Sequence, residues 1–228
     1  PFLFNLLVGK RKQTLVMRYY PDWDLVFLDI MKNGSNVFVN LFEYVMEKPS
    51  VPPYFERTPE IYMTVVRNPY DRLVSQFYHH NRRELNIFKN SLHHPFFKEW
   101  VKKTYKNGYD GDDGHYFSQT HIIRYYEYPL PYHIFKLETL VAHELFWFMD
   151  LSDERKKDID AKAFELRTKL DLNHHHAYSN IKQGVWQTFY DSETIEICNN
   201  YFANDFKAFE YEMIEPSQFN KYMGRSVL

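Results

Sequence analysis

The sequence predicts an α/β fold of three layers, with a mostly parallel central sheet flanked by helices. Three observations carry this. Leu25-Val-Phe-Leu-Asp-Ile30 and Ile61-Tyr-Met-Thr-Val-Val66 are short apolar runs of the kind that form strands buried on both faces. Each is followed by an apolar stripe with the 3.6-residue period of a helix. Asn68-Pro69 places a capping residue and then a proline at the first helical position, which marks the second strand-to-helix switch sharply. Strands that alternate with helices need crossover connections, and these give βαβ units and a parallel sheet.

In chain order, the first strand leads into a helix on which Val37, Phe38, Leu41, Tyr44 and Val45 share one face. Pro49, Pro52, Pro53 and Pro59 then form a loop within one domain. The second strand leads into the stripe Tyr70, Leu73, Val74, Phe77 and Tyr78. A third, weaker strand spans 132–137, followed by a helix from about Thr139 to Met149. Ile195, Cys198, Phe202, Phe206 and Phe209 predict one long closing helix, capped by Asp191 or Ser192. With 228 residues and no internal repeat, the chain reads as a single domain, 1–228, with its core at about 24–211.

Composition narrows the function. Twenty-eight Lys and Arg against thirty Asp and Glu give a net charge of −2, which argues against a nucleic-acid binder. Cys198 is the only cysteine, so neither an intramolecular disulfide nor a Cys-based zinc site is available, and a reducing compartment suits the chain. The apolar stretch 2–8 is far shorter than the roughly 20 residues that cross a bilayer, so a soluble protein without a membrane segment is expected.

Ligands of open α/β sheets bind at the carboxyl ends of the strands, which singles out the two βα turns. The first reads Met31-Lys32-Asn33-Gly34-Ser35-Asn36. Gly34 permits close backbone approach, the helix N-terminus offers unpaired N–H groups, and Lys32 adds a full charge, which are the parts of an anion cradle; the alternative is a plain strand-to-helix connection with Lys32 solvated. It is not a Walker A loop, whose lysine follows its second glycine, because Lys32 precedes the only glycine here. In the second turn Arg67 leaves the strand at its carboxyl end and could pair bidentately with a phosphate. The plainer alternative gives Arg67 a carboxylate partner and puts Arg72 on an exposed helix face.

Arg67-Asn-Pro-Tyr-Asp-Arg72-Leu-Val-Ser75 resembles the 3′-phosphate-binding motif of sulfotransferases that use 3′-phosphoadenosine 5′-phosphosulfate (PAPS), and the first turn resembles their 5′-phosphosulfate loop. Gly114-His115-Tyr116-Phe117-Ser118-Gln119 and Phe135-Lys136-Leu137-Glu138-Thr139-Leu140 are similar to two further segments of the Golgi carbohydrate group that contains the chondroitin 4-O-sulfotransferases. Tyr201-Phe202-Ala-Asn-Asp205-Phe206-Lys-Ala-Phe209-Glu-Tyr211 resembles that group's closing helix, and heparan sulfate 2-O-sulfotransferase is a more distant likeness. The resemblance implies a P-loop-like fold and in-line sulfuryl transfer from PAPS to an acceptor hydroxyl, with a carbohydrate as the leading acceptor and 3′,5′-ADP as product. It also implies site roles. Lys32 would stabilise the leaving group, Asn33, Gly34, Ser35 and Asn36 would hold the 5′-phosphosulfate, and Arg67 and Ser75 would hold the 3′-phosphate, with no metal required.

Two departures matter. Met31 stands where the loop usually has proline, and Thr120-His121-Ile122-Ile123 stands where the Golgi relatives have cysteines. The second points to a cytoplasmic bacterial, viral or otherwise cytosolic member, with the Golgi lumen as the alternative if an anchor precedes this chain.

Transfer needs a general base, and His115 is the first candidate, lying just after Gly108, Gly111 and Gly114. His79 and His80 come next, then the glutamates of 43–60: Glu43, Glu47, Glu56 and Glu60. His174, His175 and His176 read as a solvated turn, since three consecutive imidazoles cannot all face one ion from a regular element. Lys182-Gln183-Gly184 is either a solvated loop or a loop that closes over the nucleotide. Arg82, Arg83, Lys89, Lys98, Lys102, Lys103 and Lys106 are either a soluble face or an attractor for an anionic glycan. The competing functions are a P-loop-like nucleotide kinase, which would need the Walker lysine and an acidic Mg²⁺ ligand, and a non-catalytic nucleotide- or glycan-binding protein.

Overall fold

The computed structural model describes residues 16–46, 59–81, 95–111, 113–125, 132–172 and 186–219. Four strands, β1 (Val16–Tyr20), β2 (Leu25–Asp29), β3 (Ile61–Val66) and β4 (Tyr132–Lys136), form one sheet in the order β1-β2-β3-β4. β1 is antiparallel to β2, with Tyr20 opposite Leu25, while β2, β3 and β4 run parallel, with Leu25 opposite Ile61 and Tyr62 opposite Tyr132. The carboxyl ends of three neighbouring strands therefore share one edge of the sheet.

Alternation along the strands builds the layers. Leu25, Phe27, Met63 and Val65 pack with Phe38, Leu41 and Phe42 of α1 (Ser35–Val45) and with Ile159. Val26, Leu28, Tyr62 and Val66 point the other way, onto Ile122 and Phe209. Much of the aromatic excess fills a third cluster beneath α2 (Pro69–His80), where Tyr70 stacks on Trp186 with ring centres 4.7 Å apart. Each such side chain contributes about 1.5–3 kcal/mol on burial.

Three further helices follow: α3 (Pro95–Tyr105), α4 (Gln119–Tyr125) and α5 (Asp153–Leu172). The closing segment is two helices, α6 (Ser192–Tyr201) and α7 (Ala203–Ala208), and not the single one expected. Asp191 caps α6 by accepting from the Thr194 amide. The break at Phe202 coincides with the placement of Asp205 under the amides of Gln119 and Thr120. The helix expected from about Thr139 to Met149 is only a 3-10 helix, Ala142–Phe146. The chain turns just before it, with Thr139 N–H bonded to the Lys136 carbonyl, and only Leu145 and Phe146 of this short element are buried.

The basic stretch is largely neutralised where it is described. Lys98 bonds Asp191 at 2.7 Å and Glu193 at 2.9 Å, and Lys102 reaches Glu193 at 3.3 Å, so these lysines tie α3 to the start of α6. Arg82, Arg83 and Lys89 lie outside the described residues, as do the stretch 2–8, Pro49, Pro52, Pro53, His174–His176 by number, and 182–184. Among the described residues no helix is long and apolar enough to cross a membrane.

Candidate active site

The first turn leaves β2 through Ile30 and bends with Lys32 and Gly34 both left-handed, at φ 74° and φ 86°. Gly34 then caps α1, its carbonyl accepting from the Val37 amide at 2.9 Å, so the positive end of the helix dipole lies at this turn. A Cβ on Gly34 would lie 2.8 Å from the Phe38 ring, so only glycine fits. Ser35 Oγ donates to the Ile30 carbonyl at 3.2 Å. Beneath it, burial raises the pKa of Asp29, while the Ser35 hydroxyl and Arg18 partly offset that effect.

Asn33 is buried and binds inward. Its Nδ2 donates to the Val65 carbonyl and to Gln119 Oε1, both at 2.7 Å. The second turn binds the first directly, because Arg67 Nη1 donates to the Lys32 carbonyl at 2.9 Å. Arg67 also has the carboxylate partner of the plainer reading: its Nε and Nη2 both reach Asp71 Oδ2 at 2.7 Å.

Arg72 corrects the other half of that reading. Instead of lying on an exposed face it is 0% exposed, and its guanidinium donates to the carbonyls of Phe117 at 2.9 Å, Met31 at 3.3 Å and His115 at 3.5 Å. Burial lowers its pKa and the attraction of Asp205 opposes that. Asp205 is equally buried and accepts from the amides of Gln119 and Thr120, each at 2.8 Å. A cation on its carbonyls and an anion on its amides thus hold the segment 115–120 against both turns.

His115 is set within this segment. Its Nδ1 lies 2.7 Å from Asp113 Oδ1, and the His79 ring stacks on it with centres 4.5 Å apart. The His115 hydrogen bond holds the Asp113 carboxyl below its usual range. His80 Nδ1 bonds the Tyr116 hydroxyl, so all three histidine candidates meet here. On the far side of the second turn, Glu138 accepts from the Asn68 amide at 2.6 Å and from the Tyr211 hydroxyl at 2.8 Å. A polar cavity of about 290 Å³, lined by Ser118, Thr120, His121, Arg124 and Asn204, opens beside Gln119 and Asp205.

The comparison with known families now bears on this geometry. A model described as the sulfotransferase family matches residues 17–212. The chain belongs to the sulfotransferase family. No curated protein and no solved structure gives a significant match.

As a sulfotransferase, the protein performs sulfuryl transfer. The structure joins Lys32, Asn33, Gly34, Ser35 and Asn36 in one turn and brings Arg67 onto it. Ser75 lies two turns along α2, buried, and no hydrogen bond joins it to either turn among the described residues. The glutamates are poorly placed as bases. Glu60 binds Asp24 through its amide at the amino end of β3, the opposite edge of the sheet, and Glu43 is exposed eight residues into α1, roughly 12 Å from its start. Glu47 and Glu56 lie outside the described residues. Sequence reasoning gave no role to Asp113, Gln119, Glu138 or Asp205, although three of them stand in segments whose likeness had been noted. The signal was the presence of a buried-type polar residue in each segment, and its meaning depends on partners up to 86 residues away.

Proposed function

We propose that this sulfotransferase moves the sulfuryl group of PAPS to a hydroxyl of a carbohydrate. The observation that supports it best is the Arg67–Lys32 hydrogen bond, which sets the two anion-facing turns side by side at the carboxyl ends of β2 and β3. One ligand with phosphates at both ends of a nucleoside suits such a pair. When bound, PAPS supplies a sulfuryl group carried on a phosphate leaving group.

The residues fit that ligand. Gly34, closed to any side chain, and the N-terminal amides of α1 suit a 5′-phosphosulfate, helped by Ser35 and Asn36, while Asn33, expected to share this role, donates inward to Val65 and Gln119 and supports the turn from beneath. Lys32 supplies positive charge where negative charge develops on the leaving oxygen, and it acts more strongly there than in bulk water. Arg67 would share its fork between Asp71 and the 3′-phosphate, with Ser75 further along α2. Asp113 occupies Nδ1 of His115, which leaves Nε2 to take the acceptor proton. The carbohydrate assignment rests on the likeness to the chondroitin 4-O-sulfotransferase group, and the cavity beside Arg124 and His121 suits a polar, anionic glycan.

The test is thermal unfolding with 3′,5′-ADP against ATP plus Mg²⁺. At 100 times Kd a native-state ligand adds about 2.7 kcal/mol, a rise of roughly 5–10 °C for a chain of this size. Stabilisation by 3′,5′-ADP is expected. Stabilisation by ATP alone would overturn the reading.

A further inference from the structure

The chemistry above leaves the side chain of Gln119 unused, yet every donor and acceptor of its amide is bonded. A glutamine amide carries two N–H donors and a carbonyl oxygen with two lone pairs. All four are engaged. Oε1 accepts from Asn33 Nδ2 at 2.7 Å and from the Arg67 amide at 2.9 Å, while Nε2 donates to the Arg67 carbonyl at 2.8 Å and to Asp205 Oδ2 at 3.4 Å. The residue is 0% exposed, and its own main-chain N–H goes to Asp205.

The pairing with Arg67 uses both the N–H and the C=O of one residue, as a neighbouring strand would. Arg67 is the first residue beyond β3, so the amide extends the sheet's hydrogen bonding past the strand end. Its contact with Asn33, whose other amide hydrogen goes to the Val65 carbonyl, fastens the first turn to the same strand end. The bonds also fix which residue fits. A glutamate would face an oxygen toward the Arg67 carbonyl and Asp205, and asparagine is one methylene too short.

We propose that Gln119 is a positioning residue for sulfuryl transfer: its amide sets the separation of the Lys32 and Arg67 turns. The catalytic consequence rests on the donor reading above; the mechanical part does not. A misplacement of about 1 Å in such a site costs on the order of 100-fold in rate.

The test is Gln119→Met in the full chain, which keeps bulk and removes the bonds. Hydrogen exchange of the ligand-free protein should be at least about tenfold faster at 31–36 and 67–68, with α6 unchanged. With PAPS and desulfated chondroitin, kcat should fall about 100-fold, the 3′,5′-ADP affinity should weaken, and the acceptor KM should hold within about twofold. Asn33→Leu, which keeps Gln119 bonded to Arg67 and Asp205, should loosen 31–36 alone, and it decides the matter if Gln119→Met fails to fold. Unchanged exchange at 31–36 in both variants overturns the proposal. So do loosened turns with wild-type kcat and affinity, or faster exchange that extends through α6. A wild type that neither binds 3′,5′-ADP nor transfers from PAPS refutes the donor reading, while the exchange result still judges Gln119.

Discussion

Arg67 Nη1 donates to the carbonyl oxygen of Lys32 at 2.9 Å, across 35 residues of sequence. The same guanidinium grips Asp71 through its other edge. One side chain therefore neutralises a carboxylate on α2 and steadies the main chain of Lys32, the residue that the proposed function sets against the leaving group. The left-handed backbone of Lys32 needs such support, since that conformation is unfavourable for a residue with a Cβ.

Arg67→Ala should be destabilising. The Arg67–Asp71 pair is buried, with side chains 12% and 5% exposed, and removal of one partner leaves a buried charge at a cost of about 3 kcal/mol. Thermal unfolding should fall by roughly 6–12 °C. Arg67→Lys keeps the charge but not the fork, and should lie between wild type and alanine. Asp71→Asn should cost less in the Arg67→Ala background than alone, and additivity would show that the pair is not the cause.

Lys32→Gly separates stability from activity. Relief of the left-handed strain, about 1–2 kcal/mol, is set against the greater chain entropy of glycine, about 0.5–1 kcal/mol. The variant should unfold at the wild-type temperature or slightly above it. Sulfuryl transfer should nonetheless drop by about 100-fold or more, the scale seen when one transition-state donor is lost. A steady-state assay that finds full activity would remove Lys32 from the chemistry.

Gly34→Ala should fail in both respects. The added Cβ meets Phe38 at 2.8 Å and the backbone there has φ 86°, so both contact and conformation oppose it. A loss of about 1–3 kcal/mol is expected, together with weaker 3′,5′-ADP binding by calorimetry. Gly108→Ala is a useful control, because its φ is 81° but a Cβ there meets nothing within 4 Å, so nucleotide binding should be untouched.

What could be read from the sequence was what local pattern dictates. β2, β3, α1 and α2 follow from buried apolar runs, helical stripes and the Asn68-Pro69 cap, and the structure places them within a residue or two. β1 escaped notice because it is an edge strand with Arg18 at its centre, whose guanidinium reaches Asp29 at 3.8 Å. α5 is charged along most of its length and, among its residues of described burial, buries only Ile159 fully, so it shows no convincing stripe. The division of the closing helix contains neither glycine nor proline at Phe202; its counterpart is a tertiary hydrogen bond from Gln119, 86 residues away. Arg72 shows the limit best. Nothing in its neighbourhood tells an exposed helical arginine from one held by carbonyls 41, 43 and 45 residues distant.

The Asp113–His115 pair makes the remaining prediction. Asp113 accepts from the His115 ring at 2.7 Å and from its amide at 3.0 Å, and the ring bond holds its carboxyl below the usual aspartate value. In the window between the folded and unfolded pKa values the folded protein binds fewer protons. The pair therefore stabilises fully above the ordinary aspartate value, near 3.9, and this contribution is lost as pH falls through the depressed one. The difference in unfolding temperature between wild type and Asp113→Ala should shrink as the pH falls below about 4. For catalysis, His115→Ala should lower transfer by about 100-fold or more while 3′,5′-ADP still binds. Asp113→Ala should cost less, since His115 remains but its Nδ1 hydrogen bond is gone. If His115→Ala turns over normally and His79→Ala does not, the base is the stacked neighbour, whose ring centre lies 4.5 Å from that of His115.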